Sequence, residues 1–352
     1  MEWSRRSRAA RPREAWIKRS PWIRTPIALL SFLSLLNGAV FASEHQPLRF
    51  VQTIALDGVE GRIDHMAVDP RGQRLFVAAL ANGTVEVIDL HAGKRVRSLR
   101  GFREPQGIGF VESPPRLFVA NGGDGTCDVL DGGTFARIRK LRLSGDADNV
   151  RFDSRAGRVY VGYGAGALRV LDPATGDSLR DILLPGHPES FELEPDGSRG
   201  FVNVPDEGEV AIVDLTRGST VGKWTLDGFG ANYPMALDQA GHRLFVGCRR
   251  PGAVLVFDDR TGRRVANVSI DRDVDDLFYD ATTRKLFASC GAGFIDVVGA
   301  GTTGRFGRVA RIVTAPGART ALYEPGQRRL YLAVPHRGSQ SAEIRVFEGS
   351  KE

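Results

Sequence analysis

The sequence predicts an all-β fold, a seven-bladed β-propeller with four strands in each blade. Three observations predict it. One short strand-like phrase recurs seven times, each copy is flanked by the same kinds of turn, and the two ends of the repeat array are complementary. The 352-residue chain also contains 42 glycines, which suits short strands joined by tight turns.

The recurring phrase is a basic residue followed by four mainly apolar or small residues, as in Arg74–Ala78 and Arg116–Ala120. Residues of this type in short runs favour buried strands. Seven consecutive copies are spaced 41 to 44 residues apart, and they begin at Arg74, Arg116, Arg158, Arg199, Arg243, Lys285 and Arg329.

Turns and further strands surround each copy in a constant order. A turn with Asp or Gly precedes the phrase, as in Asp69–Gly72, and a second strand follows it, as in Val85–Asp89. A turn such as Ala174–Gly176 then leads to a third strand, and a fourth runs back to the next turn. A lone four-stranded sheet cannot bury both faces, whereas seven sheets stacked around an axis can.

The ends of the array predict a closed ring. Residues 48–56 resemble an outer strand with no unit before it, and the last unit ends at residues 344–347 without an outer strand of its own. The N-terminal strand can therefore complete the last blade, and closure removes exposed sheet edges. We expect one propeller domain over residues 43–352.

Residues 1–42 have the three-part pattern of a signal peptide. A basic head precedes an apolar run from Ile27 to Leu36, and Val40 and Ala42 place small residues before a cut after Ala42. The alternative is a retained membrane anchor, but the run is short for a span. We therefore expect a periplasmic or secreted protein without a membrane span after cleavage, exported by the general or the twin-arginine route.

Removal of this leader changes the charge of the protein. The leader carries eight Lys/Arg and two acids, so the 48 basic and 42 acidic residues of the chain fall to 40 of each. A neutral domain gives no support for binding to nucleic acid or to an anionic membrane. The remaining cysteines are Cys127, Cys248 and Cys290, an odd number that predicts buried thiols and no disulfide framework.

The repeat resembles that of the YVTN-type, or YncE-like, bacterial β-propellers. Asp69-Pro70, Leu75–Ala78 and Asn82–Asp89 carry the resemblance in the first unit, and it extends over roughly residues 48 to 349. It implies the propeller fold. It leaves function open, because the family includes binding proteins, surface-layer proteins and relatives of lactonases and of haem d1 proteins.

Acidic residues are concentrated where the innermost strand of each blade should begin. Because the units can be aligned on their turns, equivalent positions should form a ring around the channel: Asp64, Gln106, Asp148, Glu189, Tyr233, Asp275 and Arg319. His65, Asn149 and His187 fall beside this ring. We predict these ten residues as ligand-binding candidates.

The four carboxylates of the ring suggest a cation. Closely spaced carboxylates need a counter-charge or shared protons, and oxygen ligands suit Ca²⁺ or Mg²⁺. Asp64, Asp148, Glu189 and Asp275 are therefore candidate metal ligands. The alternative is structural, with the acids accepting backbone N–H bonds or pairing with nearby arginines.

The leading functional hypothesis is a monomeric binding or interaction propeller, with a small molecule, a cation or a protein at the mouth of the channel. The alternative is a metal-assisted hydrolase, lactonase-like by resemblance, in which Asp64, His65 and Glu189 activate water. The catalytic residues stay unknown at this point. Gly299–Gly304 matches Gly-x-Gly-x-x-Gly, but no helical pattern follows, so it is read as a hairpin loop.

Overall fold

The structure is a computed structural model that describes residues 46–300 and 305–350. The predicted leader and most of the Gly299–Gly304 loop therefore lie outside the described residues. Within those ranges the chain forms 28 β-strands and one short 3₁₀ turn, Leu80–Asn82. The strands form seven antiparallel sheets of four strands each, as predicted.

Each blade is built from strands that are consecutive in the chain, except for the last. In blade one they are β2 (Met66–Asp69), β3 (Arg74–Ala79), β4 (Thr84–Asp89) and β5 (Lys94–Arg100). In blade two they are β6 (Pro105–Glu112), β7 (Pro115–Asn121), β8 (Thr126–Asp131) and β9 (Arg137–Arg142). In blade three they are β10 (Ala147–Asp153), β11 (Arg158–Tyr163), β12 (Ala167–Leu171) and β13 (Ser178–Leu183).

The next three blades repeat this order. In blade four the strands are β14 (Phe191–Leu193), β15 (Arg199–Val204), β16 (Glu209–Asp214) and β17 (Ser219–Thr225). In blade five they are β18 (Gly230–Asp238), β19 (Arg243–Arg250), β20 (Gly252–Asp258) and β21 (Arg264–Ser269). In blade six they are β22 (Val274–Asp280), β23 (Lys285–Cys290), β24 (Phe294–Ala300) and β25 (Phe306–Val313).

Blade seven closes the ring. It contains β26 (Ala321–Glu324), β27 (Arg329–Val334), β28 (Glu343–Gly349) and, as its outermost strand, β1 (Leu48–Ala55). Strand β1 pairs with β28 in antiparallel register, with Ile54 opposite Ile344. The prediction that the N-terminal strand completes the last blade is confirmed.

The recurring phrase forms the second strand of each blade and supplies apolar residues to both of its faces. In β3 the buried side chains of Leu75 and Val77 face blade seven, whereas Phe76 and Ala78 face blade two. This follows from the two-residue period of a strand, which sends successive side chains to opposite faces. Full burial of a side chain such as Phe76 contributes about 2 kcal/mol.

Seven apolar clusters, one between each pair of neighbouring blades, form the core. The first strands of successive blades contact one another around the ring, which makes them the innermost strands. Cys127, Cys248 and Cys290 are buried and unbridged, as expected. Among the described residues, no helix is long and apolar enough to cross a membrane.

Candidate functional site

The starts of the innermost strands surround a cavity of about 230 Å³. All seven blades contribute at least one side chain to its wall. The ten residues singled out in the sequence all line it: Asp64, His65, Gln106, Asp148, Asn149, His187, Glu189, Tyr233, Asp275 and Arg319. The alignment of the repeats therefore identified positions that are neighbours in space, because equivalent positions of a closed ring face the same axis.

Irregular pairing at the start of the innermost strands aims several of these side chains. In β6, β10, β18 and β22 the register with the second strand shifts near Gln106, Asp148, Tyr233 and Asp275. A β-bulge adds a residue on one strand and redirects its side chain. The same local irregularity thus recurs in four blades at the positions that line the cavity.

Close approach of two innermost strands fixes the backbone of Asp148. A Cβ atom on Gly107 would lie 1.9 Å from the carbonyl oxygen of Asp148 and 3.2 Å from the Cα of Asn149. Only glycine permits this contact between blades two and three. Gly107 therefore lets the Asp148 segment lie against the neighbouring blade at the cavity wall.

Arginines neutralise two of the four acids of the predicted ring. The guanidinium of Arg62 lies 2.7 Å from Oδ2 of the buried Asp64. Oδ2 of Asp275 forms an ion pair with Nε of Arg319 at 2.9 Å, and Asp275 also pairs with Arg249. Asp64 and Asp275 therefore pair with arginines, which is the alternative to metal binding that the sequence left open.

The carboxyls of Asp148 and Glu189 have no such partner. Among the described residues, no Lys or Arg forms an ion pair with either group, and Oδ1 of Asp148 is buried without a hydrogen bond. Burial raises the pKa of Asp148 to about 7. Burial, and then repulsion from Asp148 and Asp275, raises the pKa of Glu189 to about 9. This pair therefore retains a proton near neutral pH.

His187 stands beside these two acids in a fixed orientation. Its Nδ1 lies 2.6 Å from the carbonyl oxygen of Gly164. Because a carbonyl oxygen can only accept, Nδ1 carries a hydrogen and donates a hydrogen bond to it. Nε2 is then the acceptor nitrogen in the neutral ring, and it lies 3.7 Å from Oδ2 of Asp146. Asp146 is itself held by Gln106, whose Nε2 donates to Oδ1 at 2.7 Å.

Asp148, Glu189 and His187 are close enough to share one ion. One ligand atom from each of Asp148, His187 and Glu189 lies within 4.8 Å of the others. Of the four acids predicted as metal ligands, Asp148 and Glu189 belong to this cluster. Asp64 and Asp275 do not, whereas His187 does, a residue that the sequence predicts as ligand-binding and as a possible general base or metal ligand beside these acids.

His65 lines both this cavity and a second one. The second cavity, of about 260 Å³, continues along the innermost strands and shares His65 and Ser190 with the first. Nε2 of His65 lies 3.6 Å from Oδ1 of Asp148, and Nδ1 lies 3.8 Å from Oδ1 of Asp276. The imidazole thus lies between carboxyls that face the two cavities.

Four further residues line the cavity that were not selected from the sequence: Arg62, Asp146, Ser190 and Arg249. Arg62 and Asp146 lie two residues before the ring positions of their blades, and Ser190 directly follows Glu189. The same alignment of the repeats therefore points to these three residues. Arg249 lies beyond the recurring phrase, at the end of the unusually long β19. Its guanidinium lies over the ring of Tyr233, 4.0 Å from the centroid, where it also reaches Asp275.

Comparison with known proteins shows the fold alone. No protein-family model matches the chain, and no curated protein matches it. A chain described as Kuenenia stuttgartiensis hydrazine synthase is similar in structure, with a TM-score of 0.71 and 16% sequence identity. The match covers 82% of this chain and 97% of that chain. It supports the seven-bladed propeller.

Proposed function

We propose that the protein is an exported, YncE-like binding propeller that takes a positively charged ligand into the cavity at the start of its innermost strands. One observation supports this most strongly. Among the described residues, the carboxyls of Asp148 and Glu189 face the cavity without a Lys or Arg partner, while the other acids of the ring are paired with arginine. Buried charges without partners are costly, and a bound cation would remove that cost.

The charge of the cavity wall agrees with this proposal. Five carboxyls line the cavity, those of Asp64, Asp146, Asp148, Glu189 and Asp275. Three guanidinium groups oppose them, those of Arg62, Arg249 and Arg319. If a bound cation displaces the proton that Asp148 and Glu189 retain, all five acids are ionised and, with neutral histidines, the wall has two negative charges in excess, which a ligand of charge +2 would balance.

Binding of defined cations tests the proposal. Native mass spectrometry and calorimetry with Ca²⁺, Zn²⁺ and putrescine should show one equivalent of at least one cation on the native protein. The D148N/E189Q variant should lose it. The D206N/E207Q variant makes the same charge change on exposed acids of blade four and should retain it. Failure of all three cations to bind the native protein would overturn the proposal.

Export is the part of the proposal that depends on residues 1–42. The basic head, the apolar run and the small residues Val40 and Ala42 support it. Expression with the leader in a Gram-negative host should yield periplasmic or secreted protein beginning at Ser43. The A42D variant should accumulate as the uncleaved precursor, and cytoplasmic full-length protein from the native sequence would contradict export.

A metal-assisted hydrolase of the lactonase type is the second candidate function. The observation that favours it is the His65 imidazole 3.6 Å from Asp148, beside the cluster that could hold a metal. Asp64 is a poor candidate for water activation because Arg62 pairs with it. Turnover of aliphatic or aromatic lactones by metal-loaded protein, lost in H65Q, would favour this function over binding alone.

A further inference from the structure

Asp148, His187 and Glu189 combine one imidazole nitrogen with two carboxylate groups at the cavity wall. His187 and Glu189 come from the segment leading into β14, and Asp148 comes from the first strand of the preceding blade. Because the two segments belong to adjacent innermost strands, the fold places them side by side. Asp148 is 6% exposed, and its Oδ1 has no hydrogen-bond partner.

We propose that these three residues form a binding site for a divalent transition-metal ion such as Zn²⁺. This deepens the proposed function, on which it rests, by naming the cation class. Two ionised carboxylates and a neutral imidazole together carry a charge of −2, so a divalent ion and its three ligands would be neutral together.

The orientation of His187 is the second observation that points to a metal. A ligating histidine usually donates its other ring N–H to a carboxylate or a backbone carbonyl, which fixes the tautomer and the ring. Nδ1 of His187 makes such a bond to the carbonyl of Gly164, at 2.6 Å. The nitrogen left with a lone pair is Nε2, the one that could bind an ion.

A nearby amide oxygen completes the polar wall. Oδ1 of Asn149 is buried and has no hydrogen-bond partner, and Asn149 lines the same cavity.

The distances between the three ligand atoms are close to those of a zinc site. Zinc bonds of about 2.0–2.2 Å bring ligand atoms to within roughly 3.5 Å of one another. Atoms that now lie within 4.8 Å of one another therefore need to approach by little more than an ångström.

The ligand set distinguishes this ion from Ca²⁺ and Mg²⁺. Those ions prefer six or more oxygen ligands, whereas imidazole suits zinc, iron, nickel and copper. The arginine partners of Asp64 and Asp275 also remove two oxygen donors from the ring that would otherwise favour calcium. Neither Asp64 nor Asp275 belongs to the proposed site.

Calorimetry with Zn²⁺, Ca²⁺ and Mg²⁺ on the native protein tests the proposal. We expect one zinc site, with an affinity at least about 100-fold above those for calcium and magnesium. H187Q should weaken zinc binding by more than the roughly 10- to 100-fold typical of losing an outer-shell partner. The H336Q variant is the matched control, because His336 also pairs with a single carboxylate, that of Glu60, outside this cavity.

The visible absorption of bound Co²⁺ reports directly on the metal's ligands, which neither an affinity nor a folding measurement does. Co²⁺ bound through His187 should give visible absorption bands that H187Q abolishes, while circular dichroism shows the variant folded. If H65Q removes these bands and H187Q retains them, the ion belongs to His65 and the proposal is overturned. Binding of Ca²⁺ or putrescine with zinc binding unchanged in H187Q would also overturn it, yet leave the proposed function standing.

Discussion

His187 donates a hydrogen bond from Nδ1 to the carbonyl oxygen of Gly164, 2.6 Å away. Gly164 directly follows β11 of blade three, and its φ is +61°. Because His187 belongs to blade four, this hydrogen bond joins two blades. The bond fixes which nitrogen of His187 faces the carboxyls of the cavity. The conformation of one glycine in blade three therefore orients an imidazole in blade four.

Substitution of Gly164 should weaken metal binding without removing a ligand. In G164A the new Cβ would lie 2.6 Å from Oγ of Ser144, and the positive φ would be strained. A shifted carbonyl would release His187, so we expect a loss of about 10- to 100-fold in zinc affinity by calorimetry. G157A is the control, because Gly157 has the same φ of +61° at the other end of β11 and free space around it.

Neutralising Glu189 should stabilise the protein at alkaline pH. Its pKa is raised by burial, so the folded state binds a proton that the unfolded state loses above about pH 4.5. Native stability should therefore fall as pH rises from there toward about 9. In metal-free buffer, E189Q should flatten this slope and raise the free energy of unfolding by about 1 kcal/mol or more at pH 8.

Urea unfolding between pH 5 and pH 9 measures this slope. E207Q, on an exposed glutamate of the same blade, should leave it unchanged. An E189Q slope equal to that of the native protein would show that Glu189 titrates normally in the fold.

Removing Arg249 should destabilise the protein through Asp275. Arg249 pairs with this largely buried acid and lies over Tyr233. In R249M only Arg319 would remain beside Asp275, and we expect a loss of about 2 to 3 kcal/mol by urea unfolding. With D275N as the other single variant, R249M/D275N should lose less stability than the sum of the two single losses, whereas a loss equal to that sum would mean that the two residues are not coupled.

Closure of the ring by β1 should be visible in the cost of truncating Ile54. This side chain is 2% exposed and belongs to the core between blades seven and one. I54A should reduce stability by about 2 to 4 kcal/mol. T53A, at an exposed neighbouring position, should change it by less than about 0.5 kcal/mol, and comparable effects of both would argue against closure by β1.

Much of the fold could be predicted because the pattern is local and repeated. The period of two in residues such as Leu75, Phe76 and Val77 requires two buried faces, and seven copies supply them to one another. The ring of candidate positions followed from the same repetition. Arg249 did not, since it lies past the end of the repeated phrase, where nothing in the sequence says that β19 continues.

The sequence by itself determined the number of blades, the closing strand and the ten cavity positions, because strand periodicity and repeat spacing act along the chain. Only the tertiary structure decided which acids are neutralised. Asp64 and Asp275 are paired, whereas Asp148 and Glu189 are left with His187. Ion pairing depends on distances of a few ångströms between different blades, and the bulges and glycines that set those distances act only once the ring is closed.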